Sequence, residues 1–320
     1  MNISEISAGD LVHSVFLVAD VDVRETRNGN PYLRMTLRDR EGDSIDGLFF
    51  GVSERDISAV SSGKPFEVDG EADEYRNRVN VKINSMRISE EVWDAEAYLP
   101  RSTQDPEALV AVASEAVESI TSPYIRNVMR TVLSDSEVSS RLARWPAAKT
   151  RHHAWLGGLL EHTVEMLRIA EAVALAFPKL DRNLLIAGVI LHDLGKLDEL
   201  GLAADIEYTI PGNLEGHMVQ GVQILDRAFS ENSPREETKT LLRHLVLSHQ
   251  GQLDYAAVVE PMIPEAIALH YIDQLSSQVR PAIEDIDAAE KRGVHGAFIR
   301  GQTAMRPLYV RSEEIDEPYI

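Results

Sequence analysis

The chain is 320 residues long, and at roughly 150 residues per domain that length predicts about two domains, each able to bury a core without staples. Hydrophobic residues at 44% and charged residues at 26% exclude a disordered or fibrous chain, and the absence of cysteine excludes disulfides, thiolate-bound metal and thiol nucleophiles. The net charge of −20 argues against non-specific coating of duplex nucleic acid, so a nucleic-acid ligand would need a local basic groove or bound metal to offset the field.

No apolar run approaches the roughly 18 residues of a membrane span, and the opening MNISEISAGD lacks a basic stretch followed by an apolar core. The expectation is a cytoplasmic protein with no membrane partner.

Residues 1–90 read as a small all-β domain. LVHSVFLVADVDVRET is a β-rich run that ends at the turn signal Asn28-Gly29-Asn30-Pro31. Within YLRMTLRDREGDSIDGLFF, the residues Leu33, Met35 and Leu37 alternate as in a half-buried strand, and RDREGD is the turn before the strand resumes. Two more strands follow around Glu74 to Asn77. Such a hairpin between amphipathic strands looks like the centre of an OB-fold, a common platform for single-stranded nucleic acid. A dimerisation or spacer barrel fits the periodicity as well. Phe16, Tyr32, Phe49, Phe50 and Tyr75 are the aromatic candidates for base stacking; alternation buries half of any strand, which leaves Tyr75, beside Arg76 and Arg78 in the expected turn, as the best exposed one.

Residues 91–105 form a mixed polar linker, and 106–300 read as helix after helix. Asp105-Pro106-Glu107 supplies a cap, a first-turn proline and a first-turn acid. Ser122-Pro123, Asp181 ahead of LLIAGVILHDLGK, Ser233-Pro234 and Pro264 mark further helix starts. The tail, 301–320, shows no clear periodicity. The expected architecture is therefore an all-β barrel followed by an all-α bundle.

The chemistry sits in the helical part. His162, His192-Asp193, His217, His249 and Asp273 are spaced by about one helix plus a turn each, so successive helices can return one ligand apiece to a common centre. Imidazole and carboxylate suit divalent transition metals. Five or six such groups exceed a closed four-ligand zinc site and suffice for two ions sharing one Asp. Two ions roughly 3.5–4 Å apart can activate a water and stabilise both oxygens of an in-line phosphoryl displacement. A His-Asp pair directly after the run LLIAGVIL would be costly without partners. Gly195 permits a close approach or a helix end, and Lys196 can reach a phosphate. His153 and His244 are candidates to face the substrate, with His152 beside the first. His270, three residues before Asp273, is placed to orient it.

With HDLGK in place, the pattern resembles the HD metal-dependent phosphohydrolase superfamily. More closely, RHHAWLGGLLEHTVEML, ILHDLGKLDEL, EGHMVQG, LLRHLVLSHQG and PEAIALHYIDQL in that order resemble the YhaM family of 3′–5′ exoribonucleases, as do AYLPRS and the N-terminal segment; the likeness spans roughly residues 10–300. The resemblance implies an OB-fold before a helical HD domain and manganese-type metal dependence, with Co2+, Fe2+ and Mg2+ as alternatives. It also implies release of 5′-nucleoside monophosphates from single-stranded RNA, and sometimes DNA. It assigns His162, His192, Asp193, His217, His249 and Asp273 as metal ligands, with Asp193 and Lys196 the catalytic pair, as bridge between ions and phosphate contact. One departure is Ser248-His249-Gln250-Gly251, where the family pattern has two adjacent histidines. Two other readings remain: an HD phosphohydrolase acting on a small nucleotide, and a nucleic-acid-binding replication or copy-control factor. A homo-oligomer is compatible with all three.

Overall fold

The computed structural model describes residues 1–75, 79–90, 95–150, 152–203, 205–301 and 304–312. Two compact units emerge, one made of 1–101 with 201–207, the other of 102–200 and 208–320.

The first unit is a closed barrel of five strands: β1 (Leu11–Glu25), β2 (Pro31–Arg38), β3 (Ser44–Phe50), β4 (Lys64–Glu74) and β5 (Val79–Ile88). Their order is β1-β2-β3-β5-β4, with β1 pairing antiparallel to both β2 and β4 and β3 running parallel to β5. That is the Greek-key closure of an OB-fold, as expected. β1 can serve two partners because it is long and carries an irregularity between Val18 and Asp20. Alternation puts Leu33, Met35 and Leu37 inside with Phe16, Phe66, Val68 and Val81. The RDREGD turn is held by the buried Asp39, which accepts from the backbone N–H of Ile3, Glu41 and Asp43. A short helix, α1 (Glu54–Ala59), opens on a capping box between Ser53 and Asp56. Among the stacking candidates, Phe16 is core and Phe49 packs against the core. Phe50 is 42% exposed and stacks on Tyr32 with ring centroids 5.0 Å apart, while Tyr75 is 63% exposed. Arg76 and Arg78 lie outside the described residues.

The second unit is helical. α2 (Pro106–Glu118), α3 (Pro123–Ser134) and α4 (Ser136–Leu142) lead into α5 (Gly158–Ala176), α6 (Arg182–Leu191) and the single turn α7 (Lys196–Glu199). Strands β6 (Leu200–Leu202) and β7 (Ile206–Tyr208), whose residues 201–207 count with the first unit, form a small hairpin ahead of α8 (Ile210–Glu215). α9 (His217–Asn232), α10 (Glu236–Ser248) and α11 (Pro264–Glu290) follow. A second hairpin, β8 (Ala297–Arg300) with β9 (Pro307–Val310), ends the described chain, and α11 runs well beyond its sequence-predicted apolar stretch, with Pro281 inside it. Asp105 and Asp181 cap α2 and α6 through their carboxylates. From Leu184 to Leu191 every residue of α6 is buried, and the helix is the axis against which α5, α10 and α11 pack. At Gly188 a Cβ would stand only 3.1 Å from Leu269 and 3.2 Å from Leu245, so its absence sets how closely α10 and α11 approach. The site residues follow directly from the ends of these packed helices.

Candidate metal centre

His162 sits in the second turn of α5, His192 and Asp193 follow α6, His217 opens α9, His249 follows α10, and Asp273 lies within α11. The structure brings all six together. His192 Nε2 is 3.3 Å and His162 Nε2 3.8 Å from Asp193 Oδ2. On the other oxygen, His217 Nε2 is 3.6 Å and His249 Nε2 3.7 Å from Oδ1. Asp273 Oδ1 is 3.4 Å from His162 Nε2. Asp193 thus stands between two imidazole pairs, one on each of its oxygens.

The tautomers are fixed by distant partners. His192 Nδ1 donates to the Val189 carbonyl at 2.8 Å and His249 Nδ1 to the Val246 carbonyl at 2.7 Å. His217 Nδ1 donates to Glu199 Oε1 at 3.1 Å. The Ser276 hydroxyl donates to Glu165 at 2.7 Å, so its oxygen accepts from His162 Nδ1 at 3.1 Å. With each Nδ1 carrying the proton, all four Nε2 lone pairs point inward. Two pairs face each other nitrogen to nitrogen at 3.4 Å, His162 with His192 and His217 with His249. Asp193 Oδ1 is buried with no hydrogen-bond partner among the described residues. Facing lone pairs and an orphaned carboxylate oxygen are what a cation-binding donor set looks like, and nitrogen with carboxylate oxygen suits a divalent transition metal. The residues present fit such an ion.

Burial alone would raise the Asp193 carboxyl, yet Lys196 and His192 overcome it and hold Asp193 well below the usual carboxylate range. Lys196 Nζ lies 2.6 Å from Asp193 Oδ2, and its own ammonium is held charged by that contact against burial. Burial and the neighbouring His192 push His249 down to about 3, so its lone pair stays available. Asp273 is also held low, His162 and His192 together outweighing its burial.

Gly195 explains how the HDLGK turn meets α9. A Cβ there would stand 1.8 Å from the His217 carbonyl oxygen and 2.6 Å from Gly221 N, so only glycine admits the start of α9 at that distance. Glu199, on the same turn, binds both the backbone N–H and Nδ1 of His217. Glu161 accepts from Ser102, Gln104 and Trp155, and so fastens the segment before α2 and the 152–157 loop to α5. Neither glutamate carried a signal in the sequence beyond being an acid near a histidine.

Several candidates sit elsewhere than the sequence suggests. His153 is 0% exposed, with both ring nitrogens unpartnered among the described residues and its ring centroid 5.2 Å from that of His162. It cannot touch substrate from there; its neighbour His152 lines the cleft instead. The two rings stand 6.2 Å apart at near right angles, both beside His162, and His153 carries a left-handed φ of 55°. His244 accepts from the backbone N–H of Met262 through Nε2 and is absent from the cleft lining, as five residues before His249 place it well round the helix. His270 donates from Nδ1 to the carbonyl of His249, so it braces His249 rather than Asp273. Gln250 donates to His249 Nε2 at 3.1 Å and also lines the cleft. The cleft itself holds about 480 Å³ and opens onto Asp193, Lys196 and Asp273. Tyr75 belongs to the barrel unit.

Residues 159–278 match the HD domain family. The 3′-5′ exoribonuclease YhaM of Bacillus subtilis is 33% identical over 273 residues, covering 85% of this chain and 86% of that protein. The protein of the same name from a Geobacillus species is 33% identical over 293 residues, 91% and 88% of the two chains. The one from Halalkalibacterium halodurans is 31% identical over 299 residues, 93% and 91%. No helix among the described residues is long and apolar enough to cross a membrane. With relatives of this similarity along most of both lengths, an HD domain around Asp193, and an OB-type barrel before it, the chain is a hydrolytic enzyme that belongs to the YhaM family of 3′–5′ exoribonucleases.

Proposed function

We propose that this enzyme removes nucleotides one at a time from the 3′ end of single-stranded RNA in the cytoplasm, with single-stranded DNA as a further substrate, releasing 5′-nucleoside monophosphates. The observation that carries the reading is the inward convergence of four Nε2 lone pairs on the two oxygens of Asp193. In this reading His162, His192, Asp193 and Asp273 would hold one divalent ion, and Asp193, His217 and His249 would hold a second. Mn2+ is the preferred ion, with Co2+, Fe2+ and Mg2+ as alternatives. When bound, such ions supply a water of lowered pKa and positive charge against the phosphate oxygens.

The chain's own residues do the rest. Asp193 stays ionised at any working pH because Lys196 and His192 hold it low. Lys196 lies 2.6 Å from that carboxylate and lines the cleft, so its remaining N–H donors are available to a phosphate oxygen. Glu199, Ser276 and the Val189 and Val246 carbonyls keep each Nδ1 protonated and thereby fix the ring planes before substrate arrives. No serine, cysteine or histidine nucleophile is called for, so hydrolysis proceeds without a covalent enzyme intermediate. The barrel supports the strand through two exposed aromatic residues, Tyr75 and Phe50, the latter stacked on Tyr32.

A small-nucleotide phosphohydrolase is the second reading, and the net charge of −20 favours it, since little in that field attracts long RNA. Incubating end-labelled single-stranded RNA with the full-length protein and manganese separates the two. A ladder shortening by single nucleotides with 5′-monophosphate released is expected; intact RNA alongside hydrolysis of free nucleotides would replace the exoribonuclease reading with the second.

A further inference from the structure

The cleft beside the histidine cluster continues along one face of α11. Asp273, Gln274, Ser277, Gln278 and Pro281 all line it, at offsets of one, four, five and eight residues that keep to one side of a helix. At 1.5 Å per residue this wall runs about 7–8 Å from Asp273 to Gln278 and about 12 Å to Pro281. From a phosphate held at the cluster, that is the reach of a nucleoside.

The wall is wired in one direction. Arg306 Nη2 donates to Gln278 Oε1 at 2.9 Å, and Gln278 Nε2 donates to Gln274 Oε1 at 2.8 Å. A guanidinium only donates, so it fixes which end of the Gln278 amide faces it, and Gln278 in turn fixes Gln274. The relay therefore ends on the Gln274 amide NH2, so beyond the Asp273 carboxylate this wall offers a ligand N–H donors. Tyr255, 60% exposed, lines the same cleft from the loop between α10 and α11. That loop carries two left-handed residues, Gly251 at φ 81° and Ala256 at φ 70°, on either side of Tyr255. A strained backbone that delivers an exposed aromatic ring to a cleft points to a use for the ring.

We propose that this stretch of the cleft is a nucleoside pocket for the 3′-terminal residue of the substrate strand, with Tyr255 stacking on its base and the Arg306–Gln278–Gln274 relay donating to its sugar and base oxygens. The proposal rests on the exoribonuclease reading and names the ligand class of that site: a nucleoside 5′-monophosphate, phosphate towards Lys196 and base towards Tyr255. Stacking is indifferent to base identity, so the pocket accepts all four. A donor-lined wall suits the acceptor oxygens that every nucleoside carries.

The test measures binding without turnover. Adenosine 5′-monophosphate and inorganic phosphate are titrated separately into the full-length, manganese-loaded protein by calorimetry. Tyr255→Ala is expected to weaken the nucleotide about tenfold, the low end of what one stacked base contributes, with inorganic phosphate bound as in the parent. Tyr255→Phe, which keeps the ring, restores it. Gln278→Ala, which breaks the relay without touching Tyr255, weakens the nucleotide by a few-fold. Unchanged nucleotide affinity in both Tyr255→Ala and Gln278→Ala overturns the pocket, as does equal weakening of nucleotide and phosphate. The two readings fail separately. A protein that binds the nucleotide through Tyr255 but leaves RNA intact keeps the pocket and loses the exoribonuclease reading. One that degrades RNA while both variants bind as the parent does the reverse.

Discussion

The barrel and the helical unit bury different things. The barrel interior is Val12, Phe16, Leu33, Met35, Leu37, Val68 and Val81, with Asp39, Asn80 and Ser89 as its buried polar residues. The helical unit buries His153, His162, His192, His249 and His270 together with Glu161, Asp193, Glu265 and Asp273. Apolar burial stabilises at about 25 cal/mol per Å², whereas each buried ionisable group costs free energy unless paired. A barrel core of the first kind explains itself by stability. A core of the second kind needs its groups paired, as Glu161 and His270 are, and its strongly shifted carboxylates and imidazole concentrate around Asp193, where perturbed groups mark a candidate site.

The sharpest way to break that contrast is Asp193→Asn. It removes the one group shared by both imidazole pairs and keeps the shape, so hydrolysis is expected to fall by at least about 1000-fold, with helix content unchanged by circular dichroism. Elemental analysis should show the metal lost as well. Full metal occupancy with normal turnover would remove Asp193 from the centre. Gly195→Ala attacks the same site through the backbone alone. Its Cβ would overlap the His217 carbonyl, so α9 must shift, and a displacement of order 1 Å costs about 100-fold in rate. Activity at the parent level would show that the turn adapts and that the close approach is incidental.

His249 and Gln250 give a finer cut. Both reach the cluster, but His249 Nε2 faces Asp193 Oδ1 while Gln250 only donates to that nitrogen. His249→Ala should lower metal affinity and rate about 10–100-fold, and Gln250→Ala should change either by no more than a few-fold. The reverse ranking would mean that position 250 carries the ligand role.

Much of this was legible in the residues themselves. Alternation in YLRMTLR marked the barrel wall, and Asp105 and Asp181 marked helix starts, because both signals are local. The histidine cluster was legible because each of its histidines lies near a helix end. What escaped depends on residues far apart in sequence or on one backbone angle. Ser276 orients His162 across 114 residues, and Glu199 orients His217 across 18. Nothing in RHHAW announces that His152 lines the cleft while His153, with its left-handed φ, is fully buried. The hairpin of β8 and β9 has strands of four residues, too short for a period to show. On the barrel, Tyr32 and Phe50 meet only through the β2–β3 register.

That register suggests how to part the two units by function. Phe50→Ala and Tyr75→Ala leave the barrel core untouched, since both side chains are exposed. Each is expected to weaken single-stranded RNA binding about tenfold, in line with one stacked base, measured by fluorescence anisotropy. Hydrolysis of bis-p-nitrophenyl phosphate should be unaffected. Equal loss in both assays would tie the barrel to the chemistry, and no loss in either would return it to a spacer or oligomerisation role.

The smallest effect concerns an ionisable group outside the proposed ligand set. Glu284 on α11 is half-buried, and burial, with Glu161, Asp285 and Glu165 nearby, pushes its carboxyl up to about 7 against the pull of Arg280. The folded protein therefore holds this proton more tightly than the unfolded chain, whose glutamate titrates near its ordinary value. Folding takes up a proton between those two values, so stability falls as pH rises from about 4.5 to about 7 and levels off above. Glu284→Gln removes the charge that the fold resists. The variant should match the parent at pH 4 and exceed it at pH 8. Because the group is half open to solvent, screening limits the gain to about a degree or two in Tm. Thermal melts of both proteins at the two pH values, with a chelator present to exclude metal effects, measure it. A gain at pH 4 as large as at pH 8 would show that the substitution acts through packing, and the cost of burying ionisable groups in the helical unit would then stop at the cluster around Asp193.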